Sequence, residues 1–102
     1  MTKAIVLYPA PTNPEEFERR YRDEHRPMVR ATFAEMTEFH ASKVVATAMG
    51  EPAFAYAAEL VFPSMEKLQA ALGSDEGQKV VGHAIEISTG GPMTVIILEE
   101  LN

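Results

Sequence analysis

Apolar and polar positions along the chain change period several times, and each change marks an element. Lys3 to Tyr8 (KAIVLY) is a short β-branched apolar run closed by Pro9, the signature of a strand. After a loop at Ala10 to Thr12 the period lengthens: Phe17, Tyr21 and His25 recur every fourth residue, with acids and bases between them. Asn13 supplies an N-cap, Pro14 suits the first turn, and Glu16 stands where a capping-box carboxylate reaches back. The pairs Glu15–Arg19, Glu16–Arg20 and Glu18–Arg22 support the solvent face. Pro27 disfavours helical geometry at Arg26, so the spacing predicts a helix from Asn13 to about Arg26 with a break or kink there. Met28 to Glu35 reads as a short second helix or an irregular turn, with Val29 and Phe33 beneath it.

Glu38 to Thr47 (EFHASKVVAT) reads as a strand, and Met49-Gly50-Glu51-Pro52 as a turn cluster. Phe54 to Phe62 alternates well, with Phe54, Tyr56, Ala58, Leu60 and Phe62 on one face and Ala55, Ala57, Glu59 and Val61 on the other. The two strands predict a hairpin. A centre at Gly50–Glu51 sets Lys43 opposite Glu59, a cross-strand pair that contributes a few tenths to roughly 1 kcal/mol, and Val45 opposite Ala57. Ser64 caps a helix with Met65, Leu68 and Leu72 as its buried stripe, and Gly73 ends it. Ser74-Asp75-Glu76 starts another, running through Val80, Val81, Ala84 and Ile85 until Ser88 to Pro92 breaks it. Met93 to Glu100 (MTVIILEE) is the last strand. Tyr8-Pro9 and Phe62-Pro63 each end a strand just before a capped helix, so the halves form a coarse repeat. The order predicts an α+β fold, a ferredoxin-like βαββαβ sandwich with a four-stranded antiparallel sheet. No linker or low-complexity segment interrupts it, so residues 1–102 are expected to form a single domain.

The first and last strands are apolar on both faces: Ile5 and Leu7 against Val6 and Tyr8, Val95 and Ile97 against Ile96 and Leu98. An antiparallel sheet with one face in water should alternate apolar and polar residues. A second copy of the sheet would cover the spare face, which predicts a homodimer with its sheets face to face. Chain length strengthens the point, because 102 residues with 46% hydrophobic content sustain only a modest core. Cysteine is absent, which excludes disulfides and thiolate chemistry. The net charge is −6, and the bases of the first helix are mixed with as many acids. That argues against a nucleic-acid partner and against an anionic membrane surface. The opening MTKAIVLYPAPT lacks the apolar core of a signal peptide, and Met93 to Leu98 is too short to span a bilayer, so a cytoplasmic protein is expected.

In order along the chain stand Leu7-Tyr8-Pro9, the series Phe17…Tyr21…His25-x-Pro27, Glu59-Leu60-x-Phe62-x-Ser64, Ser74-x-Glu76-Gly77, and Gly90-Gly91 before the last strand. This ordered set resembles the EthD family of dimeric α+β-barrel proteins, with His-x-Pro at the end of the first helix as its most telling member. The resemblance implies a ferredoxin-like protomer, a dimer whose sheets form a barrel, and a cavity between sheet and helices. The family is named for a protein encoded with an ethyl tert-butyl ether degradation system. Related barrel families include cofactor-free monooxygenases, muconolactone isomerases and polyketide cyclases, so a small enolisable or aromatic ligand is implied, without fixing a reaction. His25 matches the family's helix-end histidine and Tyr21 its aromatic, whereas Arg20 stands where many members carry another aromatic.

His25 is the leading candidate for chemistry. Its pKa lies near neutrality when unperturbed, and as a general base it could take a proton from beside a carbonyl and return it as an acid. The plainer alternative is a histidine that caps the helix end by hydrogen-bonding a carbonyl. Tyr8, Tyr21 and Tyr56 could turn hydroxyls towards a ligand or an enolate oxygen, Tyr21 first because it lies one turn from His25; otherwise they are packing residues. His40, placed by the chosen register on a face with Tyr56 and Leu60, could line the same cavity or be an ordinary strand histidine. His83 is expected to face solvent. Glu59 is expected in a salt bridge to Lys43 or in a dimer contact. The histidines form no H-x-x-x-H or H-x-H pair, so no metal is expected, and no cofactor, since no Gly-rich phosphate loop follows a strand. No G-x-S-x-G motif supports hydrolase chemistry. Three readings follow: a cofactor-independent proton-transfer enzyme (isomerase, cyclase or monooxygenase-like), a non-catalytic binding or accessory protein for a small organic metabolite, and a structural dimer whose methionines fill the gap between helices and sheet.

Overall fold

The first apolar run becomes strand β1 (Thr2–Tyr8) in the computed structural model, which describes residues 1–101 and leaves Asn102, the last residue of the expected domain, outside the described residues. Helix α1 (Pro14–Arg20) follows, then a π turn (Tyr21–His25) and helix α2 (Arg26–Thr32). Strands β2 (Glu38–Lys43) and β3 (Tyr56–Phe62), helices α3 (Met65–Gly73) and α4 (Asp75–Ile87), and strand β4 (Thr94–Glu99) complete the α+β sandwich. The sheet is four-stranded and antiparallel in the order β2-β3-β1-β4. Two apolar clusters join it to the helices. Ala4, Leu60 and Phe62 pack with Val29, Phe33, Leu68 and Val80, and Tyr8 packs with Phe17, Ala84 and Ile87.

The predicted break at Arg26 is absent. Pro27 has no N–H to send back to Asp23, and the chain absorbs the missing donor one turn earlier. There the Arg26 N–H reaches the Tyr21 carbonyl, five residues back, and the helix runs on to Thr32. Asn13 does cap α1, its Oδ1 accepting from the Glu16 N–H at 3.2 Å. The Glu16 carboxylate does not reach back, because it takes the Arg19 guanidinium at 2.6 Å instead. Arg20 and Glu18 also leave their predicted partners, Arg20 for Glu24 at 3.0 Å and Glu18 for Lys43 at 3.7 Å.

The hairpin register differs by three residues from the predicted one: Lys43 faces Tyr56, and His40 faces Glu59. Residues 44–55 form a long connection rather than strand ends around a tight turn, so no turn fixes the register. The apolar pattern fixes it, by setting Phe39 and Ala41 opposite Leu60 and Ala58 on the helix side of the sheet. Glu59 consequently bonds Lys3 at 3.2 Å rather than Lys43. In α4 the buried positions are Gly77, Val80, Ala84 and Ile87, while Ile85 is 62% exposed. Gly90 has a packing role, since a Cβ there would lie 1.8 Å from the Ala10 carbonyl oxygen. Its loop also accepts the Thr12 N–H at Thr89 Oγ1, 3.1 Å, and so pins the start of α1 against the run into β4.

Candidate functional site

The π turn aims two side chains inward. Phe17, Tyr21 and His25 form a ladder of rings, with centroids 5.9 Å and 5.1 Å apart, and Tyr8 meets the first two from the sheet. His25 closes the ladder and is only 4% exposed. Facing it is His83 of α4, whose ring stacks at 10° and whose Nδ1 lies 2.9 Å from His25 Nδ1. His83 Nε2 lies 3.1 Å from the Glu24 carboxylate, and Arg20 holds that carboxylate in turn. Arg20 also ties Glu86 of α4 to the first helix. The position that departs from the family's aromatic therefore anchors the far end of a polar chain behind His25.

The chain fixes the protons. A carboxylate only accepts, so His83 carries its hydrogen on Nε2 and presents Nδ1 as a lone pair. His25 must then donate Nδ1–H to His83 and keep Nε2 unprotonated. His25 Nε2 has no protein hydrogen-bond partner among the described residues, yet it is not a buried orphan. It faces a cavity of about 280 Å³ bounded by Tyr8, Tyr21, Val29, Leu60, Val80, Ala84 and Met93. Burial, and secondarily repulsion from His83 in its protonated form, hold the His25 pKa down to about 4. His25 is therefore neutral at pH 7, with its free nitrogen at the wall of an apolar space.

Tyr8 and Tyr21 border the same cavity, and neither hydroxyl has a protein partner among the described residues. Burial pushes both phenols well above their ordinary pKa; the adjacent Tyr21 adds to the effect at Tyr8, and Arg26 and Arg30 oppose it at Tyr21. Both stay protonated and can donate. Tyr56 lies farther out. It donates to the Glu18 carboxylate, and burial first, then that carboxylate, push it up to about 12.

The structure thus brings Tyr8, Tyr21 and His25 together and sets Tyr56 next to them. It does not bring His40. The three-residue register difference turns His40 to the outer face of the sheet, where it is exposed and meets Glu38 at 3.1 Å. His83, expected in solvent, is the direct partner of His25. The signal for it was present, because Val80, His83, Ala84 and Ile87 stand at i, i+3, i+4 and i+7 on one helix stripe. Among the described residues no group of three or more His, Cys, Asp or Glu side chains is placed to hold a metal ion, and no helix is long and apolar enough to cross a membrane.

The EthD domain family model matches residues 10–85. An uncharacterized 11.0 kDa protein from the thcB-thcC intergenic region of Rhodococcus erythropolis is 30% identical over 101 residues, covering 98% of this chain and 95% of that protein. The crystal structure of an ethyl tert-butyl ether degradation (EthD) family protein from Bacillus halodurans superposes with a TM-score of 0.87 at 30% identity, covering 99% of each chain. A dimeric ferredoxin-like protein of unknown function from Jannaschia sp. CCS1 shares the fold, with a TM-score of 0.72 at 16% identity over 97% of this chain and 98% of that one.

Proposed function

The chain belongs to the EthD family, and on that footing we propose that it is a cofactor-independent proton-transfer enzyme acting on a small organic molecule with an acidic C–H beside a carbonyl. The observation that carries this reading is the free Nε2 of His25 at the wall of the cavity, with Nδ1 tied through His83 to Glu24. Nε2 takes the proton from the carbon, and the electron pair of the broken C–H bond moves into the carbonyl as an enolate. Tyr8 and Tyr21, protonated and unengaged, are the donors available to that oxygen. His25 returns the proton, at the same carbon or at another carbon of the enolate, and the second outcome is an isomerisation. The charge on His25 during this step faces a fixed carboxylate beyond His83, which offsets part of the cost of an imidazolium in an apolar wall.

A binding role without turnover would need no second polar group beside His25. Two phenols border the same cavity, which favours catalysis. A space of about 280 Å³ lies at the lower end of ligand cavities and speaks against a gap filled by the protein's own side chains. We further propose that the chain is a homodimer, as the exposed apolar residues of β4 support.

The test needs no knowledge of the natural substrate. Phenylacetone, 1-phenyl-1,3-butanedione and valerophenone are incubated with the protein in D₂O, and loss of the α-proton signal is followed by NMR. Exchange with at least one ketone is expected, and His25→Gln should slow it by about 10²–10⁴-fold. Absence of exchange with all three, together with unmoved His25 imidazole resonances, overturns the proposal.

A further inference from the structure

A second space adjoins the His25 cavity at its two tyrosines. Tyr8, Tyr21 and Ala58 wall both, and the second, of about 240 Å³, lies between the first helix and strands β2 and β3. The two spaces differ in chemistry. Apart from His25, the phenols and Gln78, the inner one is bounded by aliphatic and aromatic side chains. The outer one is bordered by Arg22, Arg26 and Lys43, three of the nine lysines and arginines in a chain of net charge −6. A single carboxylate, Glu18, borders it with them.

Most of that charge is already engaged. Glu18 holds Lys43 at 3.7 Å and accepts from Tyr56, and Arg22 gives its Nε to Asp23 at 3.1 Å. Arg26 has no ion-pair partner among the described residues. It is exposed, it follows His25 directly in sequence, and its charge acts on the Tyr21 phenol that separates the two spaces. One unengaged guanidinium matches one negative charge, and its planar fork fits a carboxylate with two parallel bonds. A phosphate dianion would need a second free cation there.

We propose that the two adjoining spaces together take one keto acid, its carboxylate held at Arg26 and its apolar, carbonyl-bearing body laid past Tyr21 against His25. The placement of the carbonyl rests on the proton-transfer reading above, whereas the preference for an anionic head does not. Charge makes the head specific and the apolar wall makes the body tolerant, a division common where a few polar groups orient a ligand in an apolar pocket.

The probes are 4-benzoylbutyrate and its amide, which are alike in size and shape and of which only the acid carries an anionic head with two acceptor oxygens. Binding is measured by calorimetry, with the imidazole resonances of His25 followed in parallel. The acid should bind about tenfold more tightly than the amide, with the advantage lost in Arg26→Gln and reduced at high salt. Because Arg26 is exposed, this variant does not endanger the core. Both probes should move the His25 resonances. Equal affinity for acid and amide, with His25 moved by both, overturns the anionic head and leaves the proton-transfer reading standing. A preference for the acid that depends on Arg26 while His25 stays unmoved supports the head site and sinks the proton-transfer reading. No binding of the acid at about 10 mM, a ceiling beyond any useful affinity, overturns the inference.

Discussion

Two imidazoles in direct contact behave as one unit, and most of what is distinctive in this molecule follows from how they share protons. Folded His25 titrates near 4, against about 6.5 for an unperturbed histidine. Between those values the unfolded chain binds more protons than the folded one, so stability falls as pH drops through the window. The full loss from this group is about 3 kcal/mol, reached below pH 4. Glu16, Glu18, Glu24 and Glu86 are held below the usual carboxylate range by their hydrogen bonds to Arg19, Tyr56, Arg20 and Arg20 respectively. Their contribution is lost only as pH falls through those depressed values, so the interval from pH 6.5 to 4.5 isolates His25. Urea unfolding of the wild type should shift to lower midpoints across that interval, and His25→Gln should flatten the dependence. An unchanged slope in the variant would mean that another group carries the transition. His83→Ala makes a second demand on the pair. It removes the lesser of the two causes that depress His25, so the His25 pKa should rise from about 4 yet stay below 6.5, because burial remains. It also strands the His25 Nδ1–H, at a cost of about 1–3 kcal/mol. An NMR titration and a thermal melt of one sample read both effects.

Helix α4 shows how position decides the sign of one substitution. Gly82 has nothing within 4 Å of where a Cβ would stand, so Gly82→Ala should stabilise the protein by about 1 kcal/mol through helix propensity alone. Gly77 sits in the first turn, where a Cβ would lie 1.9 Å from the Ala71 carbonyl oxygen and where Ser74 Oγ accepts the Gly77 N–H at 3.0 Å. Gly77→Ala must open the corner between α3 and α4, and should destabilise by more than its neighbour gains. Paired thermal melts check both, and a stabilising Gly77→Ala would refute this account of the corner. The same elements show what could be read in advance. The order of elements, the caps at Asn13, Ser64 and Ser74, and the inward faces of Phe17, Tyr21 and His25 are local properties of sequence, and all were legible. The π turn was not, because a proline states only that a donor is missing and tertiary packing chooses how the helix absorbs it. The β2 register was not legible, because the Gly50–Pro52 turn signal lies inside a twelve-residue connection and does not set the pairing; centring the hairpin on it puts His40 on the wrong face. The expectation of an exposed His83 fails for a different reason: its charged and small sequence neighbours suggest solvent, whereas its place with Val80, Ala84 and Ile87 at i, i+3, i+4 and i+7 sets it on the inward stripe.

At the scale of the whole molecule, β4 is the element the chain leaves unfinished. Val95, Ile96, Ile97 and Leu98 are each 43–45% exposed, on both faces of an edge strand. Ile96 and Leu98 continue the outer face of Ile5 and Lys3 on β1, and Ile97 and Val95 continue the inner face of Ala4 and Val6. An uncovered apolar edge of this kind invites pairing with another chain, and a specific interface needs about 1,200–2,000 Å² in total. β4 and the neighbouring Ile5 of the outer sheet face offer an apolar surface suited to it, and Val95 of β4 also borders the His25 cavity. Wild-type protein should therefore elute in light scattering at twice its chain mass of 11.2 kDa. Ile96→Lys combined with Leu98→Glu should shift it to the single-chain mass. Ile85→Lys, on an exposed face of α4 away from the sheet, should leave the dimer intact and serves as the control. The two quantities are coupled through Val95, which borders the cavity from β4, so the single-chain variant should bind 4-benzoylbutyrate more weakly than wild type while its His25 stays paired with His83. A wild-type protein that elutes as a single chain would show that β4 tolerates water, and equal probe affinity in both forms would show that the cavity is complete within one protomer.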